Sequence, residues 1–214
     1  MFPGAAGIGR AVAGLHCTTK NIKENNHAMP YKTMQDTGPP IIFTIGHSNR
    51  PLDEFLDLLR QNAIAHVVDV RTVPRSRHNP QYEQDALRKA LLDAGIAYTH
   101  HAALGGLRHR RPDSVNTAWR NKSFQGYADY MQTPEFEAGV QEVVALAWTE
   151  RCALMCAEAV PWRCHRSLIA DALLVRQIRV EDIINAGKRS PHKLTPWSAV
   201  EGQRVTYPAV TSEA

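Results

Sequence analysis

The densest run of chemically capable side chains is Met155-Cys156-Ala157-Glu158-Ala159-Val160-Pro161-Trp162-Arg163-Cys164-His165-Arg166-Ser167. It holds two thiols, a carboxylate, an imidazole and two guanidiniums. The hydrophobic pattern around it predicts a strand, a loop and a helix start. Unpaired N–H groups and a partial positive charge at a helix start, with Arg163 and Arg166 beside them, suit a phosphate or carboxylate. The same surroundings favour thiolate at Cys164, the candidate nucleophile of a covalent step. Glu158 and His165 are candidate proton-handling groups. Cys156, Cys164 and His165 are also soft metal ligands. However, Cys-x7-Cys-His is not a zinc-finger spacing, and adjacent Cys164 and His165 at a helix start are expected to point apart. No metal and no cofactor is therefore expected.

Two other segments carry polar groups where a strand should end. In Val68-Asp69-Val70-Arg71-Thr72-Val73-Pro74-Arg75-Ser76-Arg77, Asp69 is a candidate base or hydroxyl acceptor, or the partner of Arg71. Arg71, Ser76 and Arg77 are candidate anion ligands. In Gly46-His47-Ser48 the glycine permits a sharp turn, His47 titrates near neutrality and suits acid–base work, and Ser48 is a further binding group. Gly105 and Gly106 mark a loop that a ligand can approach closely. Segment 71–78 carries +3, and segment 101–125 carries +4 from Arg108, Arg110, Arg111, Arg120 and Lys122 against Asp113. The rest of the chain is then −3, so positive charge is concentrated in two loops. Tyr82, Tyr98, Trp119, Phe124 and Tyr127 interleave with them and could stack on bases.

The elements that must position these groups alternate. Apolar runs at Ile41–Ile45, Ala65–Val70, Ile96–Thr99, Cys152–Ala157 and Val180–Ile184 predict buried strands. Helical periods predict helices from Pro51, over Tyr82–Ala94, Ser123–Met131, Pro134–Trp148 and Cys164–Val175. The result is an α/β fold: one three-layer domain with a mainly parallel sheet flanked by helices, its site beyond the carboxyl ends of the strands. The tail 186–214 reads as loop with one extended pair near Leu194 and Val205–Tyr207. Residues 1–38 lack an apolar period and read as a disordered extension carrying an inert Cys17, and 39–214 as the domain.

Composition narrows the class. The chain has 214 residues, 43% hydrophobic and 21% charged, with net charge +4 and four cysteines. That is ordinary globular composition, not a disulfide scaffold, and no run is long enough to span a membrane. A cytoplasmic protein with free thiols is expected.

Taken in order, Thr44-Ile45-Gly46-His47-Ser48, Asp69-Val70-Arg71 with Pro74, Ser76 and Arg77, Tyr98 with Leu104-Gly105-Gly106, Met155-Cys156-Ala157-Glu158 with Pro161 and Cys164-His165-Arg166, and the tail His192-Lys193-Leu194-Thr195 with Tyr207-Pro208 resemble the bacterial and archaeal family known as domain of unknown function 488 (DUF488). The resemblance covers about 41–208. It implies no assured activity, though DNA-repair labels on some members imply a link to nucleic-acid repair. Asp69-Val70-Arg71 and the cysteine-bearing loop are also faintly similar to rhodanese-like domains, which use a loop cysteine for sulfur transfer. The loop here is longer and differently arranged.

Three functions follow. The leading one is an enzyme, a hydrolase or transferase on an anionic, phosphorylated or nucleotide-like substrate, with Arg71, Arg77, Arg163 and Arg166 on anionic oxygens and His47, Asp69, Glu158, Cys164 and His165 at the chemistry. The second is a non-catalytic nucleic-acid-binding module, which has no use for Asp69 and Glu158 at its mouth. The third is a thiol or sulfur-transfer protein, which needs a reachable Cys156 or Cys164. The partner is an anionic small molecule or nucleic acid, not a membrane, and the oligomeric state is not legible.

Overall fold

A strand as apolar as Ile41–Gly46 is stable only with both faces covered. In the computed structural model, which describes residues 38–209, it is β1 of a six-stranded sheet. The other strands are β2 (His66–Asp69), β3 (Ala97–His100), β4 (Cys152–Cys156), β5 (Arg179–Asn185) and β6 (Lys188–Pro191). They lie in the order β3-β2-β4-β1-β5-β6, with only β6 antiparallel. Five helices flank the sheet: α1 (Leu52–Gln61), α2 (Gln84–Asp93), α3 (Lys122–Tyr130), α4 (Pro134–Thr149) and α5 (Arg166–Leu174). No helix among the described residues is long and apolar enough to cross a membrane.

Alternation along the strands sorts the core into two layers. Phe43, Ile45, Val67 and Met155 pack against Phe55, Leu58 and Leu59 of α1 and Leu87 and Leu91 of α2. Ile42, Val68 and Leu154 face the other way, onto Tyr127, Phe136, Val140, Leu168 and Leu173 of α3, α4 and α5. The chain therefore leaves β1 and β2 towards one face and leaves β4, which lies between them, towards the other. Loops that diverge from neighbouring strand ends open a crevice there, the usual ligand position in an open α/β sheet.

Three sequence expectations need correction. Tyr82 belongs to a 3-10 turn, Pro80–Tyr82, and α2 starts at Gln84, because Glu83 is extended and its carboxylate accepts the Ser76 N–H at 2.7 Å. Cys164 is likewise extended (φ −127°, ψ 145°), so α5 starts two residues later, at Arg166. In the tail the extended pair is β7 (Ala199–Glu201) with β8 (Arg204–Thr206), turned at Gly202 with φ 60°. Leu194 lies in no strand, and the neighbouring Thr195 N–H is taken by Asp171. Strand β6, unforeseen, closes back on β5 through Gly187 (φ 67°). The expected disordered extension and Cys17 lie outside the described residues, apart from Gly38.

Candidate functional site

Strand β4 is the fixed point from which the site is built. Its end is clamped on both sides: Val70 N–H donates to the Met155 carbonyl, His47 N–H to that of Cys156 and Ser48 N–H to that of Ala157, each at 2.9 Å. A Cβ at Gly46 would stand 2.0 Å from the Glu158 carbonyl oxygen and 2.8 Å from the Ala159 Cα. Close approach of two backbones is therefore what this glycine provides. Gly46→Ala is expected to cost about 1–3 kcal/mol through overpacking, read as a fall in the urea midpoint.

From this clamp the chain crosses Ala157–Val160 and the 3-10 turn Pro161–Arg163, then returns through Cys164 to α5. Arg166 pins the return. It is 1% exposed, and its guanidinium donates to the Thr44 hydroxyl at 3.2 Å, to the Glu158 carbonyl and to Cys164 Sγ at 3.4 Å. No carboxylate lies within ion-pair distance of it among the described residues. Asp182 reaches it only through the Thr44 hydroxyl, which donates to Asp182 at 2.6 Å. The His165 ring donates through Nε2 to the Val70 carbonyl at 3.0 Å, which leaves Nδ1 unprotonated and 3.7 Å from Cys164 Sγ. Gly106 lies on this ring, where a Cβ would come within 2.5 Å of Nδ1.

The expectation that Cys164 and His165 point apart fails. Because Cys164 is extended rather than helical, Cys156 Sγ, Cys164 Sγ and His165 Nδ1 all lie within 4.8 Å of one another. This set could hold a soft metal ion. The neighbouring Cys156 thiol and the Arg166 guanidinium move the Cys164 pKa well below the ordinary thiol value against the opposing effect of burial. The same pairing, with burial, pushes Cys156 up.

The three groups form part of the wall of a cavity of about 470 Å³. Of the expected site residues, Arg71, Gly106, Glu158, Arg163, Cys164 and His165 line it. Sequence reasoning assigned no site role to Thr72, Val73, Arg75, Leu107, Asn121, Ser123 or Ala157, which complete it with Cys156 and with Phe124, one of the expected stacking aromatics. Arg75 had a signal, since it lies in the Arg71–Arg77 run at a strand end. The side chains of Arg75 and Arg163 are exposed and make no hydrogen bond or ion pair among the described residues.

The other expected residues lie outside this cavity and are engaged elsewhere. Asp69, fully buried, accepts two bonds from Arg71 Nε (2.9 and 3.1 Å), one from Nη2 (2.6 Å) and one from the Tyr98 hydroxyl (2.8 Å). Burial opposes the Arg71 charge, and this carboxylate more than offsets it. His47, 2% exposed, stacks on Tyr82 at 4.1 Å and bonds to the Ser48 carbonyl through Nδ1. Ser48 itself has φ 52°, in the left-handed region. Ser76 gives its N–H to Glu83. Arg77 lines a separate groove with Arg75, Glu83 and Asp85. Gly105 lets its loop approach Thr72, where a Cβ would come within 2.7 Å of Oγ1. Arg108 lies over the Tyr130 ring at 3.5 Å and donates to the Gly105 carbonyl, and Arg111 pairs with Asp113.

Two buried histidines set the pH range of this framework. Burial lowers the His47 pKa to about 4. For His192 burial also disfavours charge, but hydrogen bonds with Asp171 and Asp182 raise its pKa to about 9. A neutral buried His47 contributes stability above its unfolded value near 6.5 that is lost as pH falls towards 4. The charged His192 contributes stability below about 6.5 that is lost as pH rises towards 9. Each limb is on the order of 3 kcal/mol. Urea unfolding from pH 4 to 9.5 should give a maximum near pH 6–7, and His192→Gln should flatten the alkaline limb alone.

Comparison with known proteins finds one family model, the domain of unknown function DUF488, matching residues 51–173. The match contains Asp69, Arg71, Arg75, Glu158 and Cys164-His165-Arg166, and leaves His47 and the tail outside. No curated protein and no solved structure matches.

Proposed function

The chain belongs to the DUF488 family of domains of unknown function, and on that premise we propose that it is an enzyme acting on an anionic, phosphate-bearing substrate in the cavity between the β2 and β4 loops. One observation carries the reading. Two exposed guanidiniums without carboxylate partners, Arg75 and Arg163, share a cavity with Cys156, Cys164 and His165. Arginine presents a planar fork that matches phosphate oxygens. An anionic group bound there by the two guanidiniums is held beside the sulfur and imidazole atoms, and excess positive charge around a cleft speeds its capture. Cys164 and His165 face the reacting atom, and Glu158 at the mouth handles a proton. Gly106 leaves room for the loop that covers His165.

The site supports an enzyme over a plain polyanion-binding module, because Glu158, Cys164 and His165, for which such a module has no use, line the same cavity. The proximity of the two sulfurs favours a second reading, thiol or sulfur transfer.

The test is titration with inorganic pyrophosphate and AMP at low and moderate salt. Arg75→Glu and Arg163→Glu should each weaken binding by roughly 10- to 150-fold, the equivalent of a charge-assisted contact of about 1.5–3 kcal/mol. Both side chains are exposed, so the melting temperature should hardly move. Equal affinity in wild type and both variants would reject the reading.

A further inference from the structure

We infer that Cys156, Cys164 and His165 bind one zinc-class divalent ion, with the fourth coordination position open to the cavity. The role of that open position rests on the reading of the cavity as the place of reaction. The presence of the ion does not.

One edge of the required donor triangle is already in place. With Zn–S near 2.3 Å and Zn–N near 2.0–2.1 Å, a tetrahedral ion requires an S···N edge of about 3.6 Å and an S···S edge of about 3.8 Å. Cys164 Sγ and His165 Nδ1 stand 3.7 Å apart, and all three donor atoms lie within 4.8 Å. Shifts of side chains alone complete the triangle.

The tautomer is also correct. The Val70 carbonyl can only accept, so His165 Nε2 carries the proton and Nδ1 presents its lone pair on the sulfur side. A backbone carbonyl that orients a histidine through its far nitrogen is the usual outer partner of a metal-bound imidazole.

The donors are held rigidly before any ion arrives. Cys156 ends a central strand. The Cys164 N–H donates to the Pro161 carbonyl, and its own carbonyl accepts from the Ser167 N–H and hydroxyl. Arg166 Nε donates to Cys164 Sγ, so the buried guanidinium lies against a ligand that is anionic when metal is bound. Two thiolates neutralise a divalent ion, and Arg166 then leaves the centre at +1. An anionic ligand at the open position balances that charge.

The donor set selects the metal and the type of site. Two thiolates and an imidazole suit zinc and not magnesium or calcium. Among the described residues no fourth cysteine, histidine or carboxylate joins the group. Three protein ligands with one open position is the pattern of a reactive rather than a structural zinc site.

The experiment uses the full chain purified under reducing conditions without chelator. Elemental analysis should find about one zinc per chain. Cys156 and Cys164 should resist a thiol reagent until a chelator is added. Chelated protein refilled with Co2+ should show thiolate-to-cobalt absorption in the near ultraviolet, weakened in Cys156→Ser, Cys164→Ser and His165→Ala. Outer partners of a metal cost 10–100-fold when removed, so loss of a direct ligand should raise the metal Kd by more than about 100-fold. Protection of the wild-type thiols needs no variant, so misfolding of a variant does not rescue the proposal. Thiols that react equally with and without chelator, or that are joined as a disulfide in the reduced preparation, would overturn it. So would reduced protein that gives no cobalt absorption. Pyrophosphate binding that persists in metal-free protein would leave the enzyme reading standing without the ion. Zinc in a chain that binds no anion would separate the two the other way.

Discussion

Asp69→Ala is expected to cost about 3–5 kcal/mol of stability, since it leaves the Arg71 guanidinium buried without its carboxylate. For a domain of this size that lowers the melting temperature by roughly 6–20 °C. The pair is closed on itself. Asp69 is fully buried, Arg71 is 5% exposed, and Arg71 also donates to the Tyr82 carbonyl at 2.9 Å. Replacing both partners by apolar residues of similar size, Asp69→Leu with Arg71→Met, should recover most of the loss, because no orphaned charge remains. Thermal melts of the wild type and the two variants check this. An Asp69→Ala protein with normal stability and no activity would instead make Asp69 a reacting group.

Arg166→Met carries the second large effect. The substitution keeps much of the volume but removes every donor to Thr44, Glu158 and Cys164. Each hydrogen bond from a charged group contributes about 1.5–3 kcal/mol, and the Glu158 carbonyl can turn to water, so a net loss of about 2–4 kcal/mol is expected. Pyrophosphate affinity should fall as well, although Arg166 does not line the cavity, because the loop that carries Arg163 is no longer tied to the sheet. Arg166→Lys should rescue poorly, since one ammonium cannot span three partners in a planar fan. A stable Arg166→Met protein with unchanged affinity would show that the loop holds itself.

Much of the architecture was legible because buried parallel strands announce themselves. Ile41–Gly46 and Cys152–Cys156 are nearly continuous apolar runs, and each ends in polar residues where the fold puts them to use. The run 155–167 was legible as a strand end, a loop and a helix start for the same reason. The division of labour within it was not. Arg163 and Arg166 look alike in sequence, yet one is exposed on the cavity wall and the other is among the most buried side chains. Only the third dimension places Thr44 and the Glu158 carbonyl around Arg166. Asp69 and His47 were ambiguous in a similar way. A polar residue at a strand end suits a reaction and suits an internal brace equally well, and the deciding partners, Tyr98 and Tyr82, lie 29 and 35 positions away. The Cys164–His165 contact was hidden by a two-residue error in the start of α5. An extended Cys164 brings its sulfur to the imidazole, where a helical one was expected to turn it away.

The most direct measurement is a crystal structure of the full chain soaked with inorganic pyrophosphate or AMP. The account predicts phosphate oxygens within hydrogen-bond distance of Arg75 and Arg163, above Cys156, Cys164 and His165. An anion bound instead in the groove beside Arg77 and Glu83, or an empty cavity at a concentration that saturates binding in solution, would contradict it.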